Sequence, residues 1–480
     1  MEAHRRVKGA FDPEGRLNPG NLVDPAPIDE DWRVEPGVEP PDHDTYFDWS
    51  ADGGLLRAAE KCNGAGTCRR RAEAGGTMCP SYRATLDEED TTRGRANVLR
   101  QLLRDAEPDE AFTSDDVERA LDLCLSCKAC KTECPASVDM ARLKAEYTQQ
   151  RYDREGAPWS AWFFAHYRTA ARLASVAPTL ANFVLTFALT RWLIDRLGSL
   201  DPDRELPEFA SERFTRQFRR RETPDDAHER PVVWLYVDPF TEFNDPEVGM
   251  AAVRVLEAGG YRVERFPVDD DGRTFLSKGF VDRAKKLADR NLERVGPLLE
   301  EHPERSVVGV EPSALLTFRD ELPDLASPER RGAAEELADR ALLFEEFVER
   351  ACLEGGFGAP WPEDAGGRVE LHGHCHQEAL AGTEATERVL SIAGYEVDVI
   401  DSGCCGMAGS FGYEADHADV SREIGELTLF PAVRDMDEET RLAAPGFSCR
   451  HQIDDETDRS AAHPAVLLDE ALERGTGNRE

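Results

Sequence analysis

Seven cysteines fall between positions 62 and 134 of a 480-residue chain. Cys124, Cys127, Cys130 and Cys134 follow the spacing C-x2-C-x2-C-x3-C, and Pro135 comes directly after the last of them. Thiolates are soft donors that match iron and sulfide. Two-residue gaps let one tight loop reach three corners of a cubane cluster, while the fourth cysteine of such a run points away and serves the other cluster of a two-cluster protein. Zinc more often uses separate CxxC pairs. The run is therefore read as iron–sulfur ligands, with a four-cysteine zinc site as the alternative.

A second, incomplete run precedes it. Cys62 and Cys68 are followed after ten residues by Cys79 and Pro80, and Ala65 stands where the middle cysteine of the bacterial ferredoxin run would be. By the crossover rule, Cys79 completes a four-thiolate cluster with Cys124, Cys127 and Cys130, and Cys134 joins Cys62 and Cys68. The second set then has three thiolates. It is expected to hold a [3Fe–4S] centre, or a [4Fe–4S] centre with one iron bound by water or by a side chain such as Asn63. The remaining alternative is that only the complete cluster forms. Arg93 and Arg95, in TTRGRAN, are read as surface or helix-capping arginines, or else as hydrogen-bond donors near a cluster.

Four more cysteines lie in the last quarter. Cys375 sits in HGHCHQ, Cys404 and Cys405 in DSGCCG, and Cys449 in SCRHQ. Two adjacent cysteines cannot face one way in a strand, so they need a turn, which Gly403 and Gly406 supply. The spacing C-x28-CCG-x42-C resembles the CCG cysteine-rich domain of heterodisulfide reductase-like proteins, whose pattern ends in CxxC; Gln452 occupies that last position here. The resemblance implies a metal site at Cys375, Cys404, Cys405 and Cys449, either a non-cubane iron–sulfur cluster or zinc, the alternative being reduced thiols in a packed fold. His372, His374 and His376 alternate and would share one face of a strand. One of them is a lesser candidate ligand; a hydrogen-bonded structural role is preferred for all three. Cys352 lies in a helical pattern and is read as core.

Elements must bring these residues together. Apolar residues recur at helical spacing over 115–124, with Ser114 as the N-cap, and a second helix is expected over 138–150. Further on, VLEAGGYRVERF at 255–266 matches VLSIAGYEVDVI at 389–400, an internal repeat offset by 134 residues. Each copy reads as a helix end, a glycine turn and a strand. Strands are expected at 232–237 and 307–310 in the first copy, and at 369–371 and 395–400 in the second, giving α/β units with a mainly parallel sheet. At the same offset Cys404-Cys405-Gly406 falls on Asp270-Asp271-Gly272. DDGRTFLSKG resembles the family's CCGRxxxSKG with its cysteines replaced, so the first lobe is read as having lost its metal site. Asp270 and Asp271 are expected to be surface charge.

The expected architecture is α+β and multidomain: an α-helical ferredoxin-like iron–sulfur domain followed by two α/β CCG-type cysteine-rich lobes. The segments are 1–24, a 25–54 linker rich in Pro and Asp, the 55–155 cluster domain, a 156–230 helical connector, a 231–350 first lobe and a 368–475 second lobe. The net charge of −37, with eight lysines against fifty arginines, argues against nucleic acid as a partner and reads as a salt-adapted surface. No apolar run follows the N-terminal MEAHRR, so no signal peptide is expected. A cytoplasmic setting keeps thiols reduced. The apolar core of PTLANFVLTFALTRWLIDRL is interrupted at Arg191, short of the roughly 20 residues of a membrane span. Residues 159–200 read as two amphipathic helices packed on their own protein. Docking to the inner face of a membrane, or to a partner, is the minority reading.

KCNGAGTC, TMCPSYRATLDEEDTTRGRANVLR and LDLCLSCKACKTECPASVDMARLKAEY together resemble the FAD-linked, iron–sulfur-containing dehydrogenases that oxidise D-2-hydroxy acids, of the D-lactate and D-2-hydroxyglutarate type. The iron–sulfur subunits of glycolate oxidase and of anaerobic glycerol-3-phosphate dehydrogenase are more distant. The similarity runs through ELPEFASERFTRQF to the end of the chain. FDPEGRLNPG, at 11–20, resembles the closing motif of FAD-linked oxidases of the vanillyl-alcohol-oxidase type, which implies that 1–24 is the C-terminal remnant of such a domain. This implies an oxidoreductase component that passes electrons from FAD to a downstream acceptor such as a quinone or an electron carrier. The FAD would come from a partner chain or a missing N-terminal half. No side chain here reads as a catalytic base, so the chain alone is expected to lack hydroxy-acid dehydrogenase activity. Two alternatives are a heterodisulfide-reductase-like thiol/disulfide protein and a non-redox scaffold with a relic cluster.

Overall fold

The computed structural model describes every residue except 1, 22, 26, 28–40, 42, 188–195, 197–198, 225, 363–366 and 478–480. The chain divides into two units, Met1–Asp42 and His43–Glu480.

In the first unit Glu2–Phe11 is a helix, with Glu2 in its first turn and Lys8 in its last, which complements the helix dipole. Asp12 fixes the turn that follows. Its carboxylate accepts the backbone N–H groups of Arg16 and Leu17 at 2.8 Å each and the Lys8 ammonium at 2.6 Å. The FDPEGRLNPG motif is thus helical only at its first residue and turn-like after it. Half of the expected 25–54 linker lies outside the described residues.

The second unit begins with an aromatic anchor. Phe47 and Trp49 are buried, and the Glu146 carboxylate accepts the backbone N–H of Tyr46 at 3.1 Å and of Phe47 at 3.0 Å. The helices of the cysteine-rich segment pack behind it: Leu55–Glu60, Pro80–Thr85, Thr92–Asp105, Asp115–Asp122, Ala129–Thr132 and Met140–Glu155. The helix expected over 115–124 stops at Asp122, where the backbone turns into the cysteine loop. Ser114 occupies its N-cap position without a side-chain capping bond. The helix expected over 138–150 starts at Met140 because Asp139 caps it, accepting Arg142 N–H at 3.1 Å, and it runs on to Gly156.

Two parallel sheets follow. The first contains β1 (Val232–Tyr236), β2 (Arg262–Arg265), β3 (Val307–Gly309) and β4 (Ala341–Leu343), in the order β2-β1-β3-β4. The second contains β5 (Arg368–His372), β6 (Glu396–Ile400) and β7 (Arg441–Ala443), in the order β6-β5-β7. All pairings are parallel, as strand–helix alternation requires. The 134-residue offset carries the first residues of β2 and β3 onto the first residues of β6 and β7. The two sheets share one hydrophobic core, with Val233 and Leu235 of β1 and Val369 and Leu371 of β5 in the same cluster. The helices Pro246–Ala258 and Pro464–Gly477 pack against each other in that core.

The connector differs from expectation. Its described residues include three short helices, Trp159–Ala165, Tyr167–Ala174 and Pro178–Thr186, and a fourth, Phe214–Arg220, nearer the first sheet, while residues 188–195 and 197–198 lie outside the described residues. Among the described residues of these first three helices only Ala161, Ala165 and Ala171 are buried. Part of its apolar surface packs on its own protein as expected, with Ala161 and Ala165 against Phe280 and Tyr167 stacked on Phe240, while Leu173, Val176, Leu180 and Phe183 are exposed. Among the described residues no helix is long and apolar enough to cross a membrane.

Candidate metal centre

All seven cysteines of the N-terminal set meet at one hydrophobic cluster. Cys62, Cys68, Cys79, Cys127 and Cys130 are buried within it, and Cys124 and Cys134 pack against it half-buried. The loop that carries the complete run is shaped by two left-handed residues, Ser126 (φ +53°) and Lys128 (φ +64°), one on either side of Cys127. Non-glycine residues rarely adopt this conformation. Here it coils the chain tightly enough to bring Cys124, Cys127 and Cys130 together. Burial pushes the Cys127 and Cys130 thiols up, Cys130 to about 12, and the neighbouring Cys124 adds to both.

Cys79 stands between the two runs. Its thiol interacts with Cys68, which together with burial raises its pKa, and Cys130 raises it further. Cys68 is lowered to about 6, first by the contact with Cys79 and then by the Arg93 backbone amide and the Thr91 hydroxyl. Thr92 adds two contacts to the Cys79 sulfur, from its backbone N–H and its hydroxyl, each 3.1 Å. Thr91, Thr92 and Arg93 form the N-cap and first turn of the Thr92–Asp105 helix. Its free N–H groups and positive dipole end therefore face two sulfurs. The TTR stretch contributes to the site through amides and hydroxyls that its residue types alone did not single out.

The arginine side chains have other partners. Arg93 pairs with Glu88 at 2.6 Å. Arg95 is buried and donates to the Ala120 carbonyl at 2.7 Å and to Ser81 Oγ at 3.0 Å. At the gap in the first run, Ala65 is exposed and its backbone N–H is capped by Asn63 Oδ1 at 3.0 Å. Asn63 Oδ1 is thus engaged in a local turn.

Two neighbours of the cysteines anchor the loops. The Glu133 carboxylate accepts the backbone N–H groups of Thr77 at 2.8 Å and Met78 at 3.1 Å, fixing the approach to Cys79. Gly76, at φ +75°, passes so close that a Cβ there would stand 2.8 Å from Glu133 Oε2. The Lys128 ammonium is buried and pairs with Asp320 and Glu321, and Lys131 also reaches Asp320. These pairs tie the cysteine loop to the first lobe.

The second constellation lies alongside. β5 ends at His372, and the helix Cys375–Leu380 begins with His374 as N-cap, its Nδ1 accepting His376 N–H at 3.1 Å. The three histidines therefore do not share a strand face. Cys404 and Cys405 occupy the turn between Gly403 (φ +63°) and Gly406 (φ +94°), and at Gly406 a Cβ would stand 2.2 Å from the Ser421 carbonyl oxygen. Cys449 lies in the helix Phe447–Glu456. The thiols form a connected series. Contacts with Cys375 and then Cys405 raise Cys404, contacts with Cys404 and Cys449 lower Cys405 well below the usual thiol value, and Cys405 together with burial raises Cys449. Cys375 adds to the charge that raises Cys127, so the two constellations adjoin. His376 Nε2 lies 3.0 Å from the Ser126 carbonyl oxygen, and Asp401 Oδ1 accepts Gly76 N–H at 3.3 Å.

In the first lobe, Asp270 and Asp271 are not surface charge. Asp271 is buried and accepts the Tyr236 hydroxyl at 2.6 Å, and its carboxyl is pushed up to about 8, chiefly by burial and by Asp270. The turn that holds cysteines in the second lobe here folds onto its own strand. Cys352 lies in the helix Phe344–Leu353 and packs against the shared core.

The residues fit iron–sulfur clusters. At Cys79, Cys127 and Cys130, burial and neighbouring thiols disfavour the thiolate form, a cost that a cationic iron–sulfur core would offset.

The comparisons with known proteins agree in kind. Residues 58–138 match the family described as 4Fe-4S dicluster domain. The chain is similar to the D-2-hydroxyglutarate dehydrogenase of Escherichia coli (strain K12), 29% identical over 515 residues that cover 98% of this chain and 49% of that protein. It is also similar to one subunit of the anaerobic glycerol-3-phosphate dehydrogenase of the same organism, 28% identical over 64% of this chain and 80% of that one. The glycolate oxidase iron-sulfur subunit of that organism is 24% identical over 88% of this chain and 95% of its own. The chain spans about half the length of the D-2-hydroxyglutarate dehydrogenases it matches. These relatives are oxidoreductases and oxidoreductase components by name.

Proposed function

We propose that this chain is the iron–sulfur electron-transfer component of a flavin-linked dehydrogenase that oxidises a D-2-hydroxy acid of the lactate, 2-hydroxyglutarate or glycolate class. The observation that carries the reading is the convergence of two cysteine runs on one buried surface, with Cys79 interacting with both Cys68 and Cys130. Cys79, Cys124, Cys127 and Cys130 hold the complete [4Fe–4S] cluster, and Cys62, Cys68 and Cys134 hold the three-thiolate cluster. Cys375, Cys404, Cys405 and Cys449 hold a further metal centre in the C-terminal lobe. When bound, the clusters supply one-electron carriers, whose potential the surrounding donors set.

The protein's own contribution is positioning and polarity. Thr91, Thr92 and Arg93 direct a helix N-terminus at Cys68 and Cys79, which favours the more reduced, more negative state of whatever those sulfurs bind. The ferredoxin-like cluster domain spans 55–155, and CCG-type lobes span 231–350, without its metal ligands, and 368–475. The flavin comes from a separate chain or domain, a reading supported by the half-length match to the D-2-hydroxyglutarate dehydrogenases. The exposed apolar residues Leu173, Val176, Leu180 and Phe183 suit a partner or a membrane surface.

The test is reconstitution. The purified chain should not reduce an artificial dye with D-2-hydroxy acids, and its clusters should be reduced by substrate once the flavoprotein is added. Substrate-dependent dye reduction by the chain alone would contradict the assignment.

A further inference from the structure

The C-terminal lobe contains a buried nitrogen with no hydrogen-bond partner. His372 Nε2 is such an atom, and a buried polar group left unpaired costs about 1–3 kcal/mol. The other ring nitrogen explains its state. Nδ1 lies 2.6 Å from Ser402 Oγ, and the Ser402 hydroxyl donates to the Ile400 carbonyl at 3.3 Å. With its proton directed there, Ser402 Oγ accepts from Nδ1–H. In that tautomer Nε2 carries the lone pair, the arrangement that metal-ligating histidines adopt.

The ring faces thiols. One ring nitrogen of His372, Cys405 Sγ and Cys449 Sγ all lie within 4.8 Å of one another, all three residues are buried, and the ring interacts with the Cys405 thiol. A tetrahedral zinc ion with Zn–S of about 2.3 Å and Zn–N of about 2.0 Å sets its ligand atoms about 3.5 Å apart. Such close convergence suits one ion.

Three elements provide the donors: the end of β5, the turn after β6 and the helix Phe447–Glu456. Gln452, which replaces the last cysteine of the CxxC pattern, is committed elsewhere. Its Oε1 accepts from Arg204 at 2.8 Å, and its Nε2 donates to Ser421 Oγ at 3.2 Å.

We propose that His372 is a metal ligand, and that its Nε2 joins the sulfurs of Cys405 and Cys449 to bind a single zinc ion. The proposal rests on the reading of this lobe as a metal centre and adds a nitrogen donor to its thiolates. Two thiolates and an imidazole form a donor set that zinc accepts readily.

The test uses the full chain, His372→Ala and His372→Cys, each purified anaerobically, incubated with Zn2+ and desalted. Zinc and iron are counted per chain, and Zn K-edge X-ray absorption gives the ligand shell. One zinc per chain is expected, with sulfur at about 2.3 Å, nitrogen at about 2.0 Å and outer-shell scattering from an imidazole. His372→Ala should lose the imidazole scattering and hold zinc about tenfold more weakly or worse. His372→Cys should restore zinc with an all-sulfur shell. Unchanged iron in both variants shows that they fold and that the N-terminal cluster sites are intact. Zinc bound by sulfur alone, or unchanged in His372→Ala, overturns the role of His372 and leaves the lobe a metal centre. No zinc in the unsubstituted chain overturns the proposal, while a chain without iron defeats the electron-transfer reading separately.

Discussion

His376 Nε2 lies 3.0 Å from the Ser126 carbonyl oxygen. One bond thus joins the helix that begins at Cys375 to the loop between Cys124 and Cys127, and each partner is one residue from a cysteine. With Nε2 donating, the ring is neutral, and its Nδ1 is left without a partner. His376→Leu should leave a buried carbonyl unsatisfied and destabilise the chain by about 1–3 kcal/mol. Denaturant unfolding under anaerobic conditions measures it. A change of no more than about 0.5 kcal/mol, the range of an inconsequential substitution, would show that the bond carries no weight.

Lys128 is the sharper case for stability. Its ammonium is buried against Asp320 and Glu321, and removing one partner of a buried pair costs about 3–5 kcal/mol. Lys128→Met should lower the melting temperature and the iron content together. Adding Asp320→Asn should recover part of the loss, because one fewer buried carboxylate is left to share the remaining Lys131 ammonium. No recovery in the double variant would place the effect in the loop's left-handed backbone instead.

Thr92 is predicted to tune a cluster without holding it. Thr92→Val removes the 3.1 Å hydroxyl contact to the Cys79 sulfur and keeps the backbone one. Loss of about 1 kcal/mol of preference for the reduced state lowers a one-electron potential by about 40 mV. An EPR-monitored redox titration reads the shift, with iron content unchanged. An unaltered potential would remove Thr92 from the account.

The pH dependence has a defined sign at His417. Burial alone would lower its pKa, but Asp122, 3.0 Å away, and Glu414, 3.2 Å away, outweigh burial and raise it to about 9. A folded pKa above the unfolded value of about 6.5 means stabilisation that is full below pH 6.5 and lost as pH rises through 9. Glu414 works in the opposite direction. It is held at about 2 by His417 and Lys278 against the effect of burial, and its contribution is lost only as pH falls below its unfolded value of about 4.3. Melting curves from pH 6 to 10 should converge for the unsubstituted chain and His417→Gln at the alkaline end. Parallel curves would contradict the pairing.

Much of this arrangement was legible in the residues. Cysteine spacing identified the N-terminal site, because a cubane demands a short coiled loop with thiols at fixed intervals. Apolar runs and the 134-residue repeat located β1, β2, β3, β5 and β6, since buried parallel strands read as continuous apolar stretches. β4 and β7 did not stand out, being three residues each, too short for any periodicity. The separate fates of the three histidines were hidden as well. Their alternation suggested a strand, and only the helix beginning at Cys375 sends His372, His374 and His376 to different tasks. Asp271 looked like surface charge because nothing local marks a carboxylate as a partner for Tyr236. Thr91 and Thr92 were missed for a similar reason: their role belongs to a helix end brought in by tertiary packing.

The most direct test of the central claim is the cluster content of the chain itself. After anaerobic purification, iron and acid-labile sulfide are assayed per chain and the reduced and oxidised EPR spectra are recorded. Two distinct cluster signals are expected, with seven irons if Cys62, Cys68 and Cys134 hold a [3Fe–4S] centre and eight if they hold a [4Fe–4S] centre. A single signal with four irons, or a colourless preparation without iron, would contradict the two-cluster electron-transfer reading.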